Sequence, residues 1–352
     1  MRIKNLFAAA LIGSSLAFTA CEKDEASAPK LPYDLTQGMV ITNEGNFGKA
    51  NASISIYHAS GDSITSDVFF KVNNRVLGDA LQSMTFSNNR VYFVLNGSSK
   101  IEVAEKSTCK EVATIENLGG PRYIVTYGTK AYVSAWDNNE VAVIDLNTNV
   151  VSKKISVGKG PEGLIVVGTK LFVANSGGWG NANTISVIDL TTDAVVKTIT
   201  VADSPRGFVV DKNNSVWVLC AGAVDWANSA NSTTSALCKI NPSTYDVTTS
   251  NIGNTYHPTQ LRINGAGDQL YYGAGYGVQG IYKMNISGTI PTTPFIDAVF
   301  YGFSVDPTTG VVYGMKAPSF TAAGQMLRYD LTGKLVKEYT VGIGPNNGYF
   351  LK

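Results

Sequence analysis

Histidine is almost missing from this sequence: His58 and His257 are the only two in 352 residues. That leaves no histidine-based metal framework and no convincing Ser/His/Asp arrangement. Cysteine is scarce as well, at four, and its spacing matches no metal site. Charged residues make up only 16%, and the formal net charge is +1. With Arg2 and Lys4 set aside, 26 basic residues face 27 acidic ones, and no basic cluster stands out. The electrostatic case for nucleic acid therefore fails. The apolar stretch from Leu6 to Phe18 has 13 residues, too short for an ordinary membrane-spanning helix.

Glycine (35), tyrosine (17) and hydrophobic residues (44%) are plentiful, which fits a turn-rich all-β chain with material for a core. A unit of roughly forty residues recurs. One copy runs from Gly160 to Val201 and the preceding one from Gly120 to Val157, each with four short apolar runs separated by turn residues. One such unit cannot bury both its faces, so copies must pack on one another, and four strands at this period predict a β-propeller blade. Pro121, Pro161, Pro205 and Pro258 mark successive copies at intervals of 40, 44 and 53 residues; the longest holds an insertion over Ala221–Ser235.

The ends predict closure. Gly38–Gly45 reads as a second strand with no first strand before it, followed by Ala52–Ser60 and by an outer strand over Ser63–Phe70. Gly344–Lys352 matches the first strand of other copies. The expected fold is all-β: a seven-bladed β-propeller over 38–352, its N-terminal blade completed by the C-terminal strand. The copies from Pro258 to Ala298 and from Tyr301 to Val341 are blades six and seven.

With strands A to D numbered from the axis outwards, the B–C and D–A loops share one face. The A–B and C–D turns on the other face are short and stereotyped. The B–C loops are variable and carry Phe47, Asn96, Trp136, Asn138, Trp179, Trp226, Tyr276 and Phe320. Each tryptophan either caps its own blade or meets a ligand. As a set, in Gly- and Ser-rich loops, they point to binding, because Trp and Tyr offer large amphipathic area at low entropy cost. Trp217, inside a strand, reads as core. Arg122, Glu162 and Arg206, with Thr259 and Asn346, follow the repeat proline, and His257 precedes one. The charged members either pair with each other in a wet tunnel or contact a ligand. Such a face suits a broad, flat, amphipathic ligand with peripheral amides or hydroxyls, either a corrinoid or an oligosaccharide. Cys220 and Cys238 flank the insertion as either a disulfide or two buried thiols, and Cys109 has no evident partner.

At the N-terminus, Phe18-Thr19-Ala20-Cys21 resembles a bacterial lipobox, which implies a signal peptide over 1–20 and lipidation of Cys21. Glu22-Lys23-Asp24-Glu25 resembles the surface-export signal of Bacteroidetes lipoproteins, and 21–37 reads as the lipidated cysteine and its tether. Leu171–Asn175, Ser186–Leu190 and Pro205-Arg206-Gly207 resemble the YVTN-type propeller repeat, which specifies architecture better than function. Taken with Asn43–Phe47 and the Trp-bearing loops, the chain resembles the cobalamin-capturing surface lipoproteins of gut Bacteroidetes (BtuG type). That resemblance implies a non-catalytic outer-membrane receptor with a surface-exposed body. It would bind cobalamin (vitamin B12) or a related corrinoid as ligand, need no cofactor or metal, touch the membrane only through its lipid, and hand its ligand to a TonB-dependent outer-membrane transporter. The alternatives are a glycan-binding or surface-layer-like propeller, and a propeller lactonase, whose Glu, Arg and His would correspond to Glu162, Arg206 and His257.

Overall fold

A computed structural model describes residues 33–35 and 38–351 of the chain. Cys21, the expected signal peptide and nearly all of the expected tether lie outside them. Seven antiparallel sheets are present, six with four strands and one with three, and they form a seven-bladed β-propeller.

Blade 4 shows why this sequence makes a blade. Its strands are Pro161–Val167, Lys170–Asn175, Thr184–Asp189 and Ala194–Thr200. The two middle strands are covered on both faces by neighbouring blades, so both alternating sets of side chains are apolar. The outer strand is exposed except at Ile199. The tight turns are local chemistry: the Asp189 carboxylate accepts from the Thr191 N–H at 2.8 Å. Asp145, Asn241 and Asp330 cap the same turn in other blades at 2.8, 2.9 and 2.9 Å.

The core lies between blades rather than within them. Phe172, Ile185 and Val187 of blade 4 pack on Val216, Val218 and Cys220 of blade 5, and Tyr132 and Val143 of blade 3 on Leu171 and Val173. Trp217 is buried as expected, its Nε1–H donating to Asp211 at 2.8 Å. Cys109, Cys220 and Cys238 are buried free thiols, and the last two sulfurs lie 3.8 Å apart.

Ring closure is as the ends predicted. Pro345–Phe350 pairs antiparallel with Met39–Asn43, placing Val40 opposite Tyr349 and Ile41 opposite Gly348. Two elements depart from expectation. The outer strand of blade 1 stops at Thr65, and Val68–Asn73 is a short α-helix. It buries Val68 and Phe69 in the core shared with blade 2, Phe69 meeting Phe93 with ring centres 6.2 Å apart. Blade 6 has only three strands. Where a fourth would run, Pro291 and Pro294 lack the N–H groups a ladder needs, and one bridge, Ile281 to Ile296, replaces it.

The inner strands carry one further device. In blades 2 to 5 the A–B register slips just after the first inner-strand residue, between Leu81 and Ser83, Pro121 and Ile124, Pro161 and Leu164, and Pro205 and Phe208. Such bulges re-aim side chains, here at the mouth of the central channel. Ser134 stabilises one of them, its Oγ accepting from the Tyr123 N–H at 3.1 Å and donating to the Glu162 carbonyl at 2.7 Å.

Candidate functional site

The bulged inner strands and the B–C loops enclose a cavity of about 950 Å³ on the loop-bearing face. Of the residues singled out from sequence, Phe47, Asn96, Arg122, Trp136, Glu162, Trp179 and Arg206 line it, with Thr259 and Asn346. This volume is at the upper end of small-molecule sites.

Arg122 and Glu162 occupy equivalent positions on the inner strands of blades 3 and 4. Arg122 holds Glu162 through two bonds, Nη2 to Oε1 at 2.8 Å and Nε to Oε2 at 3.2 Å, and donates from Nη1 to Gln82 at 2.6 Å. Burial alone would lower the arginine's pKa; the buried Glu162 carboxylate outweighs it and raises the pKa. The guanidinium also lies 4.1 Å from the centre of the Trp136 ring.

Glu44, at the end of the blade 1 B strand, accepts from Tyr301 Oη at 2.7 Å and Asn346 Nδ2 at 2.8 Å. Burial nonetheless pushes its pKa above the ordinary carboxyl value. Asn346 uses the same amide nitrogen toward the carbonyls of Leu81 and Gln82. The last strand is thereby tied to blades 1 and 2 at the cavity wall.

Arg262 lies among side chains that offer it no carboxylate. It donates to the Leu261 carbonyl at 2.8 Å, Asn347 Oδ1 at 3.0 Å and Gln260 Oε1 at 3.1 Å, and stacks over Phe303. Burial lowers its pKa. Arg206 forms no hydrogen bond or ion pair among the described residues, and its Nε is buried without a partner.

At the rim, Trp136 and Trp179 meet edge to face, ring centres 5.5 Å apart. Trp179 is 96% exposed, whereas Trp136 is half-buried with its Nε1–H unpartnered. Two more aromatic pairs lie on this face, Trp226 with Tyr276 of the next blade at 4.8 Å and, within blade 7, Tyr301 with Phe320 at 5.0 Å.

Five residues singled out from sequence lie outside the cavity lining. Asn138 turns to Glu140, donating at 3.2 Å. Trp226 sits on the 221–235 insertion, which folds on itself around the Asp225 carboxylate, so its pair with Tyr276 stands apart from the hub. Phe320 packs on Tyr301, beside Gly344. His257 is buried, and its Nδ1–H donates to the Ala221 carbonyl at 2.7 Å. The expected approach of Glu162, Arg206 and His257 is therefore absent: two share the cavity and the histidine does not, because it begins an inner strand and is used to anchor the insertion.

Sequence reading missed Tyr301, Gln82, Gln260, Arg262 and Asn347 as wall residues. Arg262 had a signal, a charge inside an otherwise apolar inner strand. Tyr301 holds the place of the repeat proline. Among the described residues, no group of three or more His, Cys, Asp or Glu side chains is placed to hold a metal ion, and no helix is long and apolar enough to cross a membrane.

No curated protein sequence matches the chain. Solved structures share its fold at low identity. A "Quinonprotein alcohol dehydrogenase-like protein" from Bacteroides thetaiotaomicron is 13% identical, with 91% of this chain and 79% of that chain covered and a TM-score of 0.69. A "putative 6-phosphogluconolactonase" from Bacteroides fragilis is 12% identical, with 90% and 98% covered and a TM-score of 0.68. Hydrazine synthase of Kuenenia stuttgartiensis is 15% identical, with 75% and 87% covered and a TM-score of 0.59. At these identities the likeness establishes the fold alone. By sequence, residues 37–350 match one family throughout, and the chain belongs to it: the family described as "Domain of unknown function (DUF5074)".

Proposed function

We propose that this propeller is a non-catalytic receptor that captures cobalamin or a related corrinoid in the central cavity of its loop-bearing face. The observation that carries this reading is the cavity's make-up. An amide- and guanidinium-rich floor, with Gln82, Gln260, Asn346 and Asn347, lies beneath an aromatic rim led by Trp136 and Trp179. A corrin is broad, apolar on its faces and edged with amides, so it matches rim and floor together. The N-terminal resemblances support a receptor anchored to the outer membrane through Cys21, one that would pass its ligand to a TonB-dependent transporter.

Isothermal titration of the purified protein with cyanocobalamin is the test, with tight binding of one molecule per chain expected. Absence of heat and of corrinoid retention in a pull-down sinks the reading. Lactone hydrolysis is the second reading, suggested by Glu162 and Arg206 sharing the cavity and by a similar propeller named "putative 6-phosphogluconolactonase". It requires turnover of a sugar lactone that is lost in Glu162→Gln. The glycan reading requires retention on polysaccharide resin.

A further inference from the structure

The cavity's charge is lopsided. On the side of blades 1 to 4 the ionic groups are satisfied: Arg122 is locked to Glu162, and Glu44 is held by Tyr301 and Asn346. Asp137, the third acid of the lining, stands on the exposed rim of blade 3. On the side of blades 5 and 6 stand Arg206 and Arg262, on inner strands that pack against each other, and neither has an ion-pair partner among the described residues. Arg262 is fixed by neutral oxygens only, and Arg206 by nothing. A cation withdrawn from water without a counter-ion is costly unless something else compensates it. Arg206 and Arg262 are both half-buried at the wall of an open cavity, so an anion that enters it can supply the missing counter-ion.

We propose that the blade 5–6 side of the cavity is a subsite for one oxyanion of the ligand, a phosphate or a carboxylate, bound by Arg206 and Arg262. Planar guanidinium groups suit both oxyanions because they donate two parallel bonds. Arg262 is pre-positioned by Asn347, Gln260 and the Phe303 ring, so it loses little freedom on binding. Arg206 has no side-chain partner among the described residues, so its guanidinium is available to the anion. The subsite also gives the ligand a direction, with its anionic end at blades 5 and 6 and its apolar face under Trp136 and Trp179. This inference deepens the corrinoid reading and rests on it for the ligand's identity. In those terms the oxyanion is the phosphodiester that joins cobalamin's ring to its nucleotide.

The test compares cyanocobalamin with cyanocobinamide, which has the corrin ring and amides but neither the phosphodiester nor the nucleoside beyond it, by isothermal titration on the full chain; the arginine variants isolate the phosphodiester's share. The wild type should prefer cobalamin by about tenfold or more, and Arg206→Gln should shrink that preference to about twofold. Arg206 has no side-chain partner among the described residues, so its replacement should not lower the melting temperature. Arg262→Gln should act in the same direction, and Arg206→Lys should recover part of the preference. Equal binding of both corrinoids by the wild type, or a preference that survives both glutamine variants, overturns the subsite and leaves the corrinoid reading standing. If neither corrinoid binds, that reading falls, and the subsite is tested alone by melting the protein in phosphate, acetate or chloride at equal ionic strength. Stabilisation by phosphate or acetate over chloride, lost in Arg206→Gln, sustains it and tells the two oxyanions apart. No difference from chloride overturns it.

Discussion

The Arg122 guanidinium lies 4.1 Å from the centre of the Trp136 ring while both of its edges are engaged by Glu162 and Gln82. Its charge is thus spent inside the protein. Such a desolvated cation–π contact contributes about 1–2 kcal/mol. It holds the indole at a fixed tilt, so that Trp179, which continues the rim from the next blade, has a partner to lean on. Arg122 shapes the aromatic rim; Arg206 and Arg262 carry the free charge.

Trp179→Ala is expected to weaken corrinoid binding by about tenfold, as removal of an exposed aromatic anchor does at a binding hot spot. The melting temperature should not move, because the side chain is 96% exposed. Titration calorimetry and a thermal scan on the same preparation check both halves. Unchanged affinity would remove the rim from the site.

Asn346→Ala should destabilise the protein by about 2–4 kcal/mol, since the buried amide bonds Thr42, Glu44 and the carbonyls of Leu81 and Gln82 at the seam where the ring closes. Urea unfolding monitored by tryptophan fluorescence measures it. A loss below about 1 kcal/mol would mean that strand pairing alone closes the ring.

Gly302→Ala tests how closely the inner strands approach at the axis. A Cβ there would stand 1.9 Å from the Asn346 carbonyl oxygen, and one on Gly163 would stand 2.2 Å from that of Arg206. Both contacts are with backbone, so relief requires moving a neighbouring blade. Each variant should lose about 3 kcal/mol or fail to fold, read by thermal denaturation and soluble yield.

Acid should weaken the join between blade 2 and the helix at Val68–Asn73 through Glu102. That carboxylate is 1% exposed. Burial alone would raise its pKa, but hydrogen bonds from Arg75, Lys100 and Thr114 prevail and hold it below 4.5. A depressed carboxyl stabilises the fold above its unfolded pKa, and that contribution is lost as pH falls through the lower folded value. Unfolding free energy should therefore decline below about pH 4.5 and decline less steeply in Glu102→Gln. Denaturant curves across acidic pH decide it, and parallel slopes in the two proteins would refute the assignment.

Much of the fold was legible in the sequence because a blade is built from short-range rules. Alternating apolar strands, Asp and Asn at the outer turns and a proline at five of the seven inner strands recur with the period, and each acts within a few residues. Blade 1's helix was not legible, since it depends on space left by a neighbour; blade 6's missing strand did carry a local signal, Pro291 and Pro294, which the regular period overrode. The site divided in the same way. Arg122, Glu162 and Arg206 reach the channel because they follow the repeat proline, where the bulge falls. His257, two positions earlier in the repeat, is turned to a backbone carbonyl instead.

The sequence by itself determined the period, the seven blades, the closure of the first by the last strand and the face that carries the variable loops. These follow from hydrogen-bonding and burial patterns that a strand imposes on its own residues. Tertiary structure alone decided which charges are spent and which are left. Arg122 and Arg206 occupy equivalent places in the repeat, yet one finds Glu162 on the next blade and the other finds no acid. Pairing across the channel depends on which residue the adjoining blade brings to the same height, a relation between strands far apart in the chain.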